Sequence, residues 1–187
     1  MHVAIFGGSF DPPHVGHMMA CYYVLDAHGA DEIWMVPVFR HPFGKELAPY
    51  DARVEMCEMA IPVFGGRVKV MRFEEELSRG GAPVYTVDLL AEMRRRYPEH
   101  TFSFIVGSDG LAERHGWKDF EQIRSLARLI ILRRRGFDDA AEDHKMMLPE
   151  ISSTWVRDAV RRGLSIEGLV PLRVLRYIQR ERLYKGN

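Results

Sequence analysis

The chain has 187 residues, of which 26 are Lys or Arg and 26 are Asp or Glu, so its formal net charge is zero. The length suits one domain of the usual size, about 150 residues, and a neutral chain offers no broad positive surface for nucleic acid or an anionic membrane. With 47% apolar and 28% charged residues, the composition excludes a disordered chain and predicts a globular protein with a sizeable core.

The N-terminal sequence and the cysteines predict a cytoplasmic protein. The chain runs directly into an apolar segment, His2 to Phe6, whereas a secretory signal has basic residues before a long apolar stretch. No apolar run approaches the length of a membrane span. Cys21 and Cys57 are too few for a disulfide framework or a zinc site, so we expect reduced, buried thiols.

Short β-branched or aromatic segments alternate with longer segments of helical period, a pattern typical of βαβ units around a parallel sheet. The predicted strands are His2 to Phe6, Asp31 to Val36, Arg67 to Phe73, Thr101 to Val106 and Arg128 to Leu132. The predicted helices between them are His14 to Ala27, Pro49 to Ile61, Thr86 to Tyr97, and a broken pair over Leu111 to His115 and Trp117 to Leu126. We therefore expect an α/β fold with a doubly wound, parallel, five-stranded sheet.

The pattern changes after Gly136 to an acidic turn, a short apolar run from Met146 to Leu148, and two helices, Ser153 to Arg162 and Pro171 to Leu183. We expect a single domain over residues 1–187, with a Rossmann-like core in 1–135 and a C-terminal helical extension in 136–187. The acidic triplet Glu74 to Glu76 is expected in a solvated loop.

Glycines follow the first and fourth predicted strands, at Gly7-Gly8 and at Gly107 and Gly110. In open parallel sheets, ligands bind beyond the carboxyl ends of the strands, where the winding order reverses. If these two strands are neighbours, both glycine segments face one crevice.

The segment GGSFDPPHVGH, Gly7 to His17, outlines a phosphate site. Its glycines allow a tight turn close to a ligand, and the helix that follows begins with its amides directed at the same space. His14 and His17 are three residues apart, so both imidazoles project from one face, and Gly16 keeps the space between them open. Such histidines can donate hydrogen bonds to a phosphate in the transition state. An ordinary turn, with surface or metal-binding histidines, is the alternative.

This segment resembles the (T/S)xxxx(H/T)xGH signature of the nucleotidyltransferase superfamily. The resemblance implies that His14 and His17 stabilise the α-phosphoryl group of ATP during its transfer. It also implies ATP contacts from Gly7, Gly8, Ser9 and Phe10. The chain has no Walker motif and no GxGxxG after a strand, which disfavours P-loop hydrolases and classical dehydrogenases.

The segment ISSTWVR places Ser152, Ser153 and Thr154 at a helix start, with Arg157 on the same face as Thr154. On its own this pattern indicates ordinary N-capping. It resembles the Ile-Ser-Ser-Thr-x-x-Arg motif of the same superfamily, which implies that these four residues take the β- and γ-phosphates of ATP. A guanidinium can bind a phosphate bidentately. The helical extension is therefore expected to complete the ATP site.

Three further segments resemble blocks of bacterial nicotinate-nucleotide adenylyltransferases, so that the resemblance covers nearly the whole chain. They are FIVGSDGL at 104–111 followed by Trp117, VYTVDLL at 84–90, and the closing helix at 171–184. The resemblance implies that Trp117 stacks on the pyridine ring and that Tyr85 and Thr86 meet the nicotinate carboxylate. It also implies that Gly107 and Asp109 line the nucleotide crevice, with Asp109 reaching both substrates. The chemistry of these residues agrees with the implied roles, since an aromatic ring can stack on a flat cation and a carboxylate can bind ribose hydroxyls.

Two segments depart from the family pattern. Where the family has Pro-Pro-His-Lys, this chain has HPFGK, His41 to Lys45, and we align Lys45 with the phosphate-binding lysine and Arg53 with the arginine that follows it. Val84 and Leu89 replace the usual Ser and Thr. These departures leave the details of acceptor binding open.

The resemblance implies a nicotinate-nucleotide adenylyltransferase of NAD biosynthesis. The substrates would be ATP and nicotinate mononucleotide, and the products nicotinate adenine dinucleotide and pyrophosphate, with Mg²⁺ held mainly by the ATP phosphates rather than by the protein. The alternatives are another small-molecule adenylyltransferase, acting on nicotinamide mononucleotide, phosphopantetheine or FMN, or an inactive nucleotide-binding module. We expect neither nucleic acid nor membrane as a partner, and the sequence leaves homo-oligomer formation, loop closure and the preference between the two pyridine nucleotides open.

Overall fold

Six parallel strands form the centre of the computed structural model, which describes residues 1–112, 114–134 and 147–185. The strands are β1 (His2–Gly8), β2 (Glu32–Pro37), β3 (Val68–Val70), β4 (Thr101–Gly107), β5 (Arg128–Arg134) and β6 (Met147–Leu148). Their order in the sheet is β3-β2-β1-β4-β5-β6. The five predicted strands are confirmed, and the two-residue β6 adds a short edge that was not predicted. The predicted acidic turn lies in 135–146, outside the described residues.

Helices flank the sheet. In the described ranges they are α1 (Val15–Ala27), α2 (Tyr50–Ala60), α3 (Phe73–Leu77), α4 (Thr86–Arg96), α5 (Ser108–Ala112), α6 (Phe120–Leu126), α7 (Ser153–Arg161) and α8 (Leu172–Arg180). None of these helices combines the length and the apolar character needed to cross a bilayer. Cys21 on α1 and Cys57 on α2 are buried and unpaired, as predicted.

The two faces of the sheet enter two apolar clusters. Val3 and Ile5 of β1 pack in the cluster that contains α4, whereas Ala4 packs in the cluster that contains Val24 of α1. This alternation follows from the strand period of two, and burial of both faces explains the nearly continuous apolar strands. The doubly wound α/β fold is therefore confirmed.

A third cluster holds the C-terminal helices against the rest of the molecule. Val156 of α7 and Val174 and Ile178 of α8 pack with Met56 of α2, and all four are buried. The 3.6-residue period of α7 and α8 predicts one apolar face on each helix, and this cluster is where those faces lie.

The prediction around Glu74 is wrong. β3 ends at Val70 rather than at Phe73, and the acidic triplet belongs to α3 rather than to a solvated loop. Phe73 and Leu77 are four residues apart and pack on the same core cluster, while acidic residues in a first turn are favoured by the helix dipole. These interactions stabilise α3, and β3 therefore ends three residues earlier than the β-propensity of the sequence predicts.

Candidate active site

A cavity of about 600 Å³ lies at the carboxyl ends of β1 and β4. The two strands are neighbours in the sheet, so the predicted meeting of the glycine segments at one crevice is confirmed. This is also where the winding order reverses. The predicted site residues in its wall are Gly7, Gly8, Ser9, Phe10, His14, His17, Lys45, Tyr85, Thr86, Gly107, Asp109, Trp117, Ser152, Ser153 and Thr154.

The turn after β1 is shaped by Phe10. This residue is buried and has a φ of +45°, in the left-handed region, and its ring packs over Gly8. A Cβ on Gly8 would lie 3.1 Å from Phe10 Cζ, closer than ordinary packing allows. A larger residue at position 8 would therefore have to displace the Phe10 ring, so the turn itself favours glycine there.

His14 and His17 form one stacked unit at the start of α1. Their ring centroids lie 3.7 Å apart, and His17 Nδ1 accepts a hydrogen bond from the His14 backbone N–H at 3.1 Å. Because Nδ1 of neutral His17 is an acceptor, its proton lies on Nε2. Gly16 makes room for this stack, since a Cβ there would lie 3.0 Å from His14 Nδ1.

The first amide of α1 is already used within the protein. The Val15 N–H donates to the Leu169 carbonyl at 2.9 Å, so the C-terminal extension holds the start of α1. The prediction that this helix start directs its free amides at a ligand therefore fails at Val15. The imidazoles are thus the more prominent donors at this end of the cavity.

The start of α7 lies against the same turn. Ser152 is the N-cap and accepts from the Trp155 N–H at 3.1 Å, which is the ordinary capping role of such a residue. Ser153 Oγ donates to the Pro12 carbonyl at 2.9 Å and joins α7 to the β1–α1 turn. Capping and a position in the cavity wall are therefore combined in these hydroxyl residues.

Arg157 lies behind the turn, outside the wall of the main cavity. It is 9% exposed, its Nη1 donates to the Asp11 carbonyl at 2.7 Å, and its Nη2 donates to Thr154 Oγ1 at 3.2 Å. The same guanidinium lies 3.7 Å from the buried Asp11 carboxylate, which also accepts from Tyr184 Oη at 2.6 Å. Burial and the Asp11 charge raise the pKa of Tyr184, so its hydroxyl keeps the proton that it donates.

Arg53 braces the turn from the other side. It is fully buried, and its guanidinium donates to the carbonyls of Ser9 at 2.8 Å and Ala48 at 2.9 Å. Burial lowers the pKa of Arg53, whereas the charge of Asp11 raises it. Two buried guanidiniums thus lie beside Ser9 to Asp11, and the buried Asp11 carboxylate offsets one of their two positive charges.

Another part of the cavity wall is built around Trp117. Its ring packs against Phe104 and against Phe120 in T-shaped arrangements, each with a centroid distance of 6.0 Å. Tyr85 is 37% exposed, and Lys118 Nζ lies 5.0 Å from the centroid of its ring. Flat rings and a cation suit a planar, negatively substituted ligand.

Sequence analysis missed several residues in this wall. Lys118 lines the cavity and pairs with Asp88 at 2.9 Å, and its position next to Trp117 was the available signal. Glu74 also lines it, although its acidic neighbours indicated solvent. His41 lies there with Lys45, and burial, followed by the charges of Lys45 and Arg53, lowers the pKa of His41.

Known proteins resemble this chain over nearly its whole length. The cytidylyltransferase-like family model matches residues 5–159. The "Probable nicotinate-nucleotide adenylyltransferase" of Anaeromyxobacter dehalogenans (strain 2CP-C) is 43% identical over 186 residues, covering 98% of this chain and 97% of the relative. The protein of the same name from Myxococcus xanthus (strain DK1622) is 41% identical over 184 residues, covering 98% and 95%.

The fold is shared with a solved structure. Plasmodium falciparum nicotinic acid mononucleotide adenylyltransferase complexed with NaAD aligns with a TM-score of 0.84 and 23% identity, over 100% of this chain and 98% of that chain. The family match includes both the β1–α1 turn and the start of α7, which together line the cavity. The chain therefore belongs to the cytidylyltransferase-like family and, within it, to the nicotinate-nucleotide adenylyltransferases.

Proposed function

We propose that this enzyme transfers the AMP moiety of ATP to nicotinate mononucleotide, forming nicotinate adenine dinucleotide and pyrophosphate in NAD biosynthesis. The observation that carries the proposal is a single cavity lined by the stacked histidines, the start of α7, Trp117, Tyr85 and Lys45. Whole-chain similarity to relatives of that name supports it.

The reaction needs no protein nucleophile. An oxygen of the acceptor 5′-phosphate bonds to the α-phosphorus, the bond from that phosphorus to the oxygen bridging to the β-phosphate breaks, and pyrophosphate leaves. Such a transfer is accelerated mainly by holding the two phosphates in line and by stabilising the charge that develops on the oxygens.

His14 and His17 supply the charge stabilisation in this proposal. In this proposal His17 Nε2 donates a hydrogen bond to an α-phosphoryl oxygen, while Nδ1 accepts from the His14 N–H and holds the ring. The stack fixes both rings before substrate arrives, so little reorganisation is needed in the transition state. Gly7, Gly8, Ser9 and Phe10 form the turn beneath the phosphates.

The start of α7 takes the remaining phosphates of ATP. Ser152, Ser153 and Thr154 contribute hydroxyls, and the amides of the helix start favour an anion. Arg157 adds its charge from behind the turn and holds Asp11 in place. We propose on this basis that residues 136–187 complete the ATP site of one domain.

Mg²⁺ fits this site as a part of the ATP substrate. Within 1–112, 114–134 and 147–185, no group of three or more His, Cys, Asp or Glu side chains could hold a metal ion. Magnesium commonly keeps several waters and binds phosphate oxygens, and it neutralises their charge. Asp109, in the cavity wall, would contribute a contact mediated by one of those waters.

The acceptor occupies the aromatic side of the cavity in this proposal. Trp117 offers a plane to the pyridinium ring, and Tyr85 and Thr86, which line the same cavity, contact its carboxylate in this proposal. Lys45 pairs with the 5′-phosphate. Asp109 contacts a ribose, since a carboxylate after a strand is the usual partner of ribose hydroxyls.

The decisive experiment is a pyrophosphate-release assay with ATP, Mg²⁺ and a panel of acceptors, with products identified by chromatography. Nicotinate mononucleotide should give the highest kcat/KM, ahead of nicotinamide mononucleotide, phosphopantetheine and FMN. A higher kcat/KM with another acceptor would replace the proposed substrate. Release with none of them would favour an inactive nucleotide-binding module.

A further inference from the structure

The three acidic residues of α3 lie in different surroundings. Glu75 pairs with Arg72 at 2.6 Å, and Glu76 pairs with Arg96 at 2.6 Å, both at the surface of the molecule. Glu74 is only 6% exposed and lies in the wall of the main cavity. A buried carboxylate is rare unless a hydrogen bond compensates its lost hydration, so a hydrogen-bond partner is expected for Glu74.

That partner is the backbone of the segment that follows β2. Glu74 Oε2 accepts a hydrogen bond from the Phe39 N–H at 2.8 Å. One residue earlier, the Val38 N–H donates to the Gly8 carbonyl at 2.9 Å. The beginning of segment 38–45 is therefore fixed at two points, one on α3 and one on the turn after β1.

This segment carries two residues of the cavity wall, His41 and Lys45. From Val38 to Pro49 the chain forms no helix or strand, so the geometry of the segment depends on its end contacts and on one turn, in which the Gly44 N–H donates to the His41 carbonyl at 3.0 Å. The ring of Phe39 adds a third contact by packing edge-on against Tyr50, with a centroid distance of 4.9 Å. Loss of the Glu74 bond would leave the Phe39 amide unpaired and would loosen the side of the segment that faces α3.

Burial raises the pKa of Glu74 to about 7, although the Phe39 N–H and the Arg53 guanidinium lower it. Either protonation state leaves a carboxyl oxygen that can accept from Phe39. The contact therefore needs a carbonyl oxygen at this position and not a full negative charge, which makes glutamine a faithful replacement.

We propose that Glu74 is a positioning residue, which fixes segment 38–45 through the Phe39 amide and so places Lys45 and His41 for binding of the acceptor mononucleotide. This role rests on the proposed function, because it assigns that side of the cavity to the acceptor. ATP binding depends on the turn after β1 and on α7, whereas the Glu74 carboxyl group accepts from the Phe39 N–H.

Steady-state kinetics of three variants test the proposal. Glu74→Ala should raise the KM for nicotinate mononucleotide about tenfold, because a lost buried hydrogen bond commonly has that effect, and leave the KM for ATP within about twofold. Glu74→Gln should restore the acceptor KM to nearly the wild-type value. Glu76→Ala, at the exposed neighbour, is the matched control and should change neither constant. An unchanged acceptor KM in Glu74→Ala, or an equal rise for both substrates, overturns the proposal.

Hydrogen exchange of the peptide that contains Phe39 gives a second readout that needs no turnover. The Phe39 amide should exchange about tenfold faster in Glu74→Ala than in the wild type, and at the wild-type rate in Glu74→Gln and Glu76→Ala. Equal exchange in all four proteins overturns the anchoring. If Glu74→Ala does not fold, Glu74→Asp, whose carboxylate is one methylene shorter, replaces it in both measurements with the same expected results.

The two proposals fail in different ways. A wild-type enzyme that does not use nicotinate mononucleotide contradicts the proposed function, and the exchange measurement still decides whether Glu74 anchors the segment. A wild-type enzyme that uses it, with an acceptor KM insensitive to Glu74→Ala, contradicts only the positioning role.

Discussion

His17 Nδ1 accepts the backbone N–H of His14 at 3.1 Å while the two imidazole rings stack at 3.7 Å. One contact therefore determines both the orientation of His17 and the nitrogen that carries its proton. A side chain that is fixed in this way can act on a developing charge without first being reoriented.

His17→Ala is expected to lower kcat by a factor of about 10² to 10³, the usual effect of removing one donor to a transition-state oxyanion. The KM for ATP should change much less, since the turn and α7 remain. The measurement is steady-state kinetics with both substrates varied. His28→Ala, at the other end of α1, is the control. An unchanged kcat in His17→Ala would contradict the role of His17 in the transition state.

Lys118→Ala is expected to reduce the preference for nicotinate over nicotinamide mononucleotide by about threefold to tenfold. The nicotinate form carries one more negative charge, and Lys118 is a cation in the cavity wall near Tyr85. The effect is modest because Lys118 is half exposed and already paired with Asp88. The ratio of the two kcat/KM values measures it. The control is Lys69→Ala, which removes another surface ion pair and should leave the ratio unchanged. An unchanged ratio in Lys118→Ala would show that Lys118 does not contribute to acceptor recognition.

Glu74→Gln is expected to stabilise the protein increasingly as the pH rises. Burial raises the pKa of Glu74 from 4.5 to about 7, so the folded state binds the proton more tightly than the unfolded chain. The stability that this group contributes is complete below pH 4.5 and is lost as the pH rises through 7. The variant does not titrate, so near pH 8 its free energy of unfolding should exceed that of the wild type by up to about 3 kcal/mol.

Urea unfolding at pH 5 and pH 8 measures this difference. The advantage of Glu74→Gln over the wild type should be small at pH 5 and large at pH 8. Glu76→Gln, at the exposed neighbour, should show no such growth. A constant difference between Glu74→Gln and the wild type at the two pH values would show that the carboxyl group does not titrate in this range.

Much of the fold could be predicted because its signals are local. The short apolar strands, the helical segments between them and the glycines at the ends of β1 and β4 are each visible within a few residues of sequence, and they led to the parallel sheet and the crevice. The histidine and serine motifs then identified residues that the structure brings into one cavity.

What sequence analysis missed depends on tertiary contacts. A run of three glutamates indicates solvent, and only the packing of Phe73 and Leu77 shows that Glu74 is buried. The orientation of the Arg157 side chain also could not be predicted from sequence, because its contact with Asp11 joins residues that are far apart in the chain. Lys118 was not predicted because its position beside Trp117 is a weak signal, and a lysine next to a tryptophan forms no recognised motif.

The contacts that hold the turn after β1 have a consequence for the order of folding. Arg157 reaches Asp11 across 146 positions of the chain, and Tyr184 reaches the same residue across 173. Contacts of such sequence separation carry a large loop-closure entropy and tend to form late. We therefore expect the sheet to assemble first during synthesis, and the turn after β1 to be completed only after α7 and α8 have emerged. On this expectation, the proposed ATP site is completed in the last stage of folding, after the architecture that supports it.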